Sequence, residues 1–337
     1  MVIGVGQTVL RILGYLFLLI LVAMAGAAGT AYWAKMEFEG SGPLAQETMF
    51  VVPKGASLTQ IAEQLEKDGL ISNAYVFRAG AYYLRKQGGL KAGEYTVPAG
   101  ASMQDILVIF ESGKAITYKL TVPEGLTTAM IIELVRKHEA LSGDVTVLPT
   151  EGQLLPETYV FSRGMARNEL LRRMALDHNR VLNELWEKRA PDLPIKTKYE
   201  AVILASIVEK ETGVPRERPH VAGVFVNRLR KGMRLESDPT IIYGITQGYP
   251  LGRGIRQSEL QAATPYNTYA IAGLPPTPIA NPGRESLAAV LNPMATEDIF
   301  FVADGTGGHA FASTLEEHEK NVARWRQIEK QRAAGGG

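Results

Sequence analysis

The sequence predicts an α+β protein on a single N-terminal transmembrane helix, with a small α/β module behind the span and then a larger mixed α+β domain. Three observations predict it. A stretch of 23 residues without a charge, Ile12 to Ala34, lies between Arg11 and Lys35. A strand-to-helix pattern, Val-Pro-x-Gly followed by Ser or Thr, then occurs from Val52, from Val97 and from Val122. Beyond about residue 142, helical periodicities alternate with turn-rich loops and one hairpin pattern.

The bulk numbers fit this outline and remove several classes of function. At 337 residues, 46% hydrophobic and 21% charged, the chain is ordinary globular material for about two domains. The net charge is +1, and no basic patch is interleaved with aromatics, so nucleic acid is not an expected partner. Cysteine is absent, which excludes disulfides, thiolate catalysis and Cys-ligated metals.

The apolar stretch is long enough for a span, since ~20 residues of helix cross ~30 Å of hydrocarbon. Tyr32 and Trp33 fall where an interfacial aromatic belt belongs. A short leader ending in Arg11 predicts a cytoplasmic N-terminus, since Glu37 and Glu39 count for little in orientation. A cleaved signal peptide is the alternative: the small-residue run Ala23 to Ala31 offers a cleavage site, although a signal core is only ~7–15 residues long. Both readings place the rest of the chain outside the cytoplasmic membrane. The expected division is 1–11 cytoplasmic, 12–34 span, 35–47 polar linker, 48–141 module, 142–332 second domain and 333–337 disordered tail.

In the module each Val-Pro-x-Gly ends a strand at proline, turns at glycine and caps a short amphipathic helix with a hydroxyl. Ser57, Ser102 and either Thr127 or Thr128 are the expected caps. Three unevenly spaced units are too few for a solenoid, so two half-modules packed together are expected. In the second domain helices are expected over 168–188, over 199–212 (stopped by Gly213 and Pro215) and over 219–230. Asp238-Pro239 reads as an N-cap with proline in the first turn of a short helix ended by Gly244. Residues 249–283 read as a long loop and NPGRESLAAVLNP as a brief helix. IFFVADGTGGHAFAS reads as a hairpin and Leu315 to Arg332 as a charged surface helix.

The helix over 199–212 carries the site argument. On a wheel centred on Ile207, Ile203, Leu204 and Val208 form an apolar arc; Glu211 falls near 40°, inside it, and Glu209 near 200°, opposite it. Glu209 is therefore expected in solvent and Glu211 against the core, where burial raises a carboxyl pKa toward the ~6–7 of general acids. A proton held at neutral pH beside apolar surface is what glycosidic cleavage needs at the leaving oxygen. The alternative for Glu211 is a structural carboxylate that caps a helix or pairs with a nearby arginine.

Longer motifs then bear on the choice. ASIVEKETGVPRERPHVAGVFVNRLRKGMRLESDPTIIYGI resembles the signature of the YceG-like family, the membrane-anchored endolytic murein transglycosylases. The resemblance continues through TPYNTYAIAGLPPTPIANPGRESLAAVLNP and FFVADGTGGHAFASTLEEHEKNV, with EGQLLPETYVF upstream. It covers about 151–322, and the preceding module has the family's LysM-like character. The resemblance implies cleavage of peptidoglycan glycan strands, with the second glutamate of Glu-Lys-Glu-Thr, Glu211, as the catalytic group. It also implies a single carboxyl acting as acid and then base, while the muramoyl C6 hydroxyl attacks its own anomeric carbon and leaves a 1,6-anhydro end. The penicillin-binding synthases are the expected protein partners.

Further contacts to substrate are expected from the loop residues Tyr266, Asn267, Thr268 and Tyr269, which offer aromatic faces and amide or hydroxyl groups, and from Tyr243 in the long motif. Asp238 could stabilise developing positive charge, although its helix-start context favours capping. Asn227 and Arg228 could meet stem-peptide carboxylates or simply face solvent, and Glu209 stays a candidate partner carboxylate. No cofactor is expected: the five histidines show no metal-ligand spacing, the glycines 305, 307 and 308 belong to a hairpin turn, and no Gly-x-Ser-x-Gly elbow occurs. Three readings therefore compete. They are a lytic transglycosylase, a two-carboxylate muramidase pairing Glu211 with Asp238 or Glu209, and a non-catalytic cell-wall scaffold.

Overall fold

The computed structural model describes residues 3–335, with side-chain surroundings for residues 9–332. The chain forms two compact units. The first runs to Tyr118 and includes Phe161–Gly164; the second comprises Lys119–Val160 and the chain from Met165 onward.

The first unit begins with α1 (Ile3–Glu39), a helix long and apolar enough to cross a membrane. Helix continues through residues 35–39, where a linker was expected. The reason is packing: Phe38 is 7% exposed and belongs to the core of this unit. Behind it, β1 (Thr48–Val52) pairs antiparallel with β2 (Gly93–Val97), and α2 (Leu58–Lys67), α3 (Ala74–Tyr83) and α4 (Met103–Ser112) cover the ribbon. Ser57 and Ser102 cap α2 and α4 with reciprocal capping boxes, as their position after Val-Pro-x-Gly predicts. The core gathers Phe50, Leu65, Phe77, Tyr95, Ile106 and Phe110, with the rings of Phe50 and Phe110 stacked at 5.5 Å. Buried Glu94 receives Arg163 Nε at 2.9 Å and the Tyr118 hydroxyl. Burial drives its pKa up, but these two donors outweigh it and leave the carboxyl below its ordinary value.

The third Val-Pro-x-Gly segment packs in the second unit, not in the small module where it was expected. It leads from β3 (Thr117–Thr121) to α5 (Thr128–Lys137), with Thr127 as the cap. Asn281 ties this segment down: its amide N–H donates to Thr128 Oγ1 and Glu151 Oε1, both at 3.1 Å, and its carbonyl accepts Leu154 N–H at 2.9 Å. Strand β4 (Leu141–Ser142) follows, and then β5 (Thr158–Ser162), which pairs with β3. Then come β6 (Met165–Ala166), α6 (Arg167–Glu187), α7 (Lys198–Glu211), α8 (Arg218–Arg230), α9 (Asp238–Thr246), α10 (Gln257–Gln261) and α11 (Arg284–Leu291). The hairpin β7 (Phe300–Ala303) with β8 (His309–Ala312) precedes α12 (Leu315–Gly335). Residues 333–335 of the expected disordered tail thus continue the last helix, while Gly336 and Gly337, like Met1 and Val2 of the expected leader, lie outside the described residues.

Helix α7 is the axis of this unit. Thr197 and Glu200 close a capping box at its start, and Ala201 to Val208 are all buried. The expected one-sided apolar stripe is thereby corrected: a helix apolar all round is a core helix, covered here by α8 and α11 through Val221, Phe225, Leu287 and Val290. Ser206, the single hydroxyl in that run, donates to Ile203 O at 2.7 Å and accepts Ile279 N–H at 3.0 Å, so it is buried without penalty.

Candidate active site

Helix α7 ends at Glu211, and the buried C-cap Thr212 turns the chain away. The Glu211 carboxyl reaches a cleft of about 430 Å³, where it meets Arg228, Asp238, Tyr269, Phe301 and His309. Burial pushes its pKa up to about 7; the Ser237 hydroxyl and Arg228 oppose the rise and Asp238 adds to it. Desolvation is the largest cause, as expected for an acid at the end of a core helix.

Glu209 behaves differently from its expected solvated role. Its side chain is 4% exposed, pairs with Arg218 Nη2 at 3.0 Å and accepts Gly283 N–H at 2.8 Å. The same guanidinium nitrogen holds Glu124 at 2.7 Å. The wheel fails here because both faces of α7 are covered, so a residue opposite the apolar arc meets other protein and not water. The arginine-paired structural carboxylate entertained for Glu211 is Glu209, which does not line the cleft.

Asp238 is the first residue of α9, and the cap position belongs to Ser237, so the expected capping role is corrected. Pro239 follows in the first turn, and the helix runs past Gly244 to Thr246, ended by Gln247 in the left-handed region. Freed from capping, Asp238 accepts the Tyr269 hydroxyl at 2.8 Å. Burial, and then the hydrogen bond to Asp238 and its negative charge, raise the Tyr269 pKa.

Several other sequence candidates build the site, and of these Arg228 alone also lines the cleft. Thr268 is fully buried; its Oγ1 accepts Ser237 N–H at 2.9 Å and meets Thr240 Oγ1 at 2.9 Å, which fixes the segment carrying Ser237 and Asp238. Asn267 donates to the carbonyls of Glu259, Leu260 and Ala262 and shapes the loop before it. The Tyr266 hydroxyl meets Thr277 Oγ1 at 2.8 Å, and its ring packs on Tyr243 with centroids 5.0 Å apart. Tyr243 is buried and donates to Glu151 at 3.2 Å. Asn227 donates to the carbonyls of Thr296 and Asp298. Arg228 is 7% exposed, which removes the solvated alternative. Its Nε donates to Ile299 O, and its Nη1 to Arg234 O, Leu235 O and Glu236. It therefore contributes charge beside Glu211 more than a free fork for a carboxylate.

Several residues of the cleft escaped the sequence reading, His309 and His318 among them, as did Ser237 next to it. Ser237 hid behind the Asp-Pro pair, although an N-cap position one residue earlier was a usable signal. Its Oγ is buried and, apart from its effect on the Glu211 carboxyl, has no hydrogen-bond partner among the described residues. His309 and His318 were tested only for metal spacing. Among the described residues no cluster fit to hold a metal ion occurs. His309 Nδ1 pairs with Glu217 at 2.9 Å, which anchors the hairpin at the cleft wall.

The model of the YceG-like family matches residues 50–324, more than three-quarters of the chain, with every cleft residue inside the match. The chain belongs to the YceG-like family. As a member it is similar to proteins named endolytic murein transglycosylase, one from Bacillus subtilis (28% identity; 80% of this chain and 82% of that protein) and one from Streptococcus pneumoniae (29%; 81% and 57%). The chain thus spans little more than half the length of the streptococcal relative. A crystal structure of a putative YceG-like protein from Listeria monocytogenes aligns over 82% of this chain and 98% of that one, at 27% identity and a TM-score of 0.49.

Proposed function

We propose that this YceG-like chain is an endolytic murein transglycosylase, a lyase that cuts the MurNAc–GlcNAc β-1,4 bond within nascent glycan strands and leaves 1,6-anhydroMurNAc ends. The observation that carries the reading is the Glu211 carboxyl, half-buried at the end of a core helix, open to a cleft and raised by desolvation to about 7. The names of the relatives support the substrate and the reaction class. Anchored in the cytoplasmic membrane by α1 and facing outward, the enzyme meets strands as the synthases release them, and so helps to end their elongation.

One carboxyl serves the whole reaction, giving up one proton and recovering another. Protonated Glu211 gives its proton to the glycosidic oxygen as the C1–O bond breaks and the sugar gains oxocarbenium character. The resulting carboxylate then takes the proton of the C6 hydroxyl as O6 bonds to C1. No water is consumed, and the nucleophile is already tethered, which supplies the advantage of an intramolecular attack. Asp238, held by the Tyr269 hydroxyl, is placed to favour the positive charge at C1. A proton donor near its own pKa at neutral pH accounts for about 10²–10⁴ in rate.

The test is product analysis on digested sacculi. Wild type should yield 1,6-anhydro ends, and Glu211→Gln should lose at least about 10² of the activity. Reducing muramic ends instead would establish the two-carboxylate hydrolase, and full activity in Glu211→Gln would remove the residue from the mechanism.

A further inference from the structure

One face of α3 is largely exposed among the described residues and has the composition of a bilayer interface. Tyr75, Ala79, Tyr82 and Tyr83 recur at the i, i+4, i+7, i+8 spacing of a single helix face. The three tyrosines are 77%, 58% and 87% exposed, although aromatic rings of this size ordinarily seek cover. Arg78 lies between them with its guanidinium 5.8 Å from the Tyr75 ring centre, and its Nε is shielded from water yet makes no hydrogen bond in the protein. Exposed Arg85 follows in the turn after the helix.

What fixes the location of this face is α1. The ring of Phe38 packs so closely on Gly80 of α3 that a Cβ at Gly80 would lie 2.2 Å from it. Ala79 and Tyr83 line a groove together with Ala31, Ala34 and Phe38 of α1. Ala31 and Ala34 belong to the charge-free stretch itself, on either side of the exposed belt residues Tyr32 and Trp33. The α3 face is therefore continuous with the span at the level where the span leaves hydrocarbon. Tyrosine and arginine are the residues that settle at that level, with rings among the headgroups and guanidinium on lipid phosphate.

We propose that the Tyr75–Tyr83 face of α3 lies in the headgroup layer of the membrane that α1 crosses, with Arg78 and Arg85 held by anionic phospholipid. The inference rests on α1 spanning that membrane. It makes the first unit a membrane-surface module and not one that floats at the end of a tether.

The absence of cysteine permits a clean experiment on the full chain. Single spin labels on Tyr83→Cys and, as a second site, Tyr82→Cys are read in liposomes of phosphatidylethanolamine and phosphatidylglycerol by collision with oxygen and with a nickel chelate. Both side chains are exposed, so neither substitution removes a core contact. The expected oxygen-to-nickel ratio at both sites is several-fold above that of a water-exposed label and close to that of a label on Tyr32→Cys. It should fall toward water when phosphatidylglycerol is omitted or when Arg78 and Arg85 are changed to Gln. A label on Leu18→Cys reports the span separately. If that label reads water, the membrane-spanning reading itself is wrong. If it reads hydrocarbon while the labels at 82 and 83 read water, the inference alone is overturned. It is equally overturned if those labels are immobilised only when murein glycan is added, which would make the tyrosines a sugar platform. No response to phosphatidylglycerol or to the arginine changes overturns the assignment of anionic lipid.

Discussion

Glu209 and Glu211 are two residues apart on one helix, and their surroundings set them different tasks. The first is a structural anion held by Arg218 and a backbone N–H, the second an acid held near neutrality by burial. For Glu211 the folded-state pKa lies above the unfolded one, so its contribution to stability is complete below about pH 4.5 and is lost as pH rises through about 7. Glu211→Gln should therefore match wild type in thermal stability at pH 4. At pH 8 it should exceed it by up to about 3 kcal/mol, the equivalent of the shift; equal melting curves at both pH values would contradict the burial. Arg218→Ala strands the Glu209 carboxylate in the core, which costs about 3–5 kcal/mol in urea denaturation; a loss below 1 kcal/mol would mean that water reaches the site. His178 gives the opposite pH sign. Burial lowers its pKa to about 4, and neither ring nitrogen has a hydrogen-bond partner. Its contribution is complete above about 6.5 and is lost as pH falls through about 4. Wild type should thus lose stability relative to His178→Leu between those two pH values, read as diverging melting temperatures.

At the scale of elements, what was legible in the sequence was local. The Ser57, Ser102 and Thr127 caps form where the Val-Pro-x-Gly turns put them, because hydroxyl, turn and helix lie within a few residues of one another. The bounds of α6, α7, α8 and the β7–β8 hairpin follow for the same reason. What was not legible depended on long-range packing. The far side of α7 is dry because α8 and α11 cover it, and no periodicity within α7 reports that. The allegiance of the third turn-helix segment to the second unit is set by Asn281, more than 150 residues away. Helix α3 went unread, since its face carries tyrosines where a soluble helix would carry charge. The contact of α1 with α3 is testable as a double-mutant cycle. Gly80→Ala should cost about 1–3 kcal/mol by overpacking, and much of that should vanish in the Phe38→Ala background, where the ring is gone. Additive costs would show that the two residues do not meet.

At the scale of the whole molecule, one hydrophobic cluster lies around Phe77 and Phe110 and another around α7, with no residue in common among those described. Cores that share nothing melt as separate cooperative units, so a single unfolding free energy does not describe the chain. In detergent-solubilised protein, Leu65→Ala should lower one calorimetric transition and leave a second unmoved; one transition shifting as a block would argue for a single cooperative unit. The seat of Phe38 has a mechanical meaning at this scale. If α1 crosses the membrane as proposed, its seat in the first core through Phe38 leaves the junction no swivel. Turning such an anchor about its axis would turn the first unit by the same angle. On that proposal, whatever the unit touches is found by gliding at a set height above the lipid, as a plane runs along a board, and not by casting about on a line.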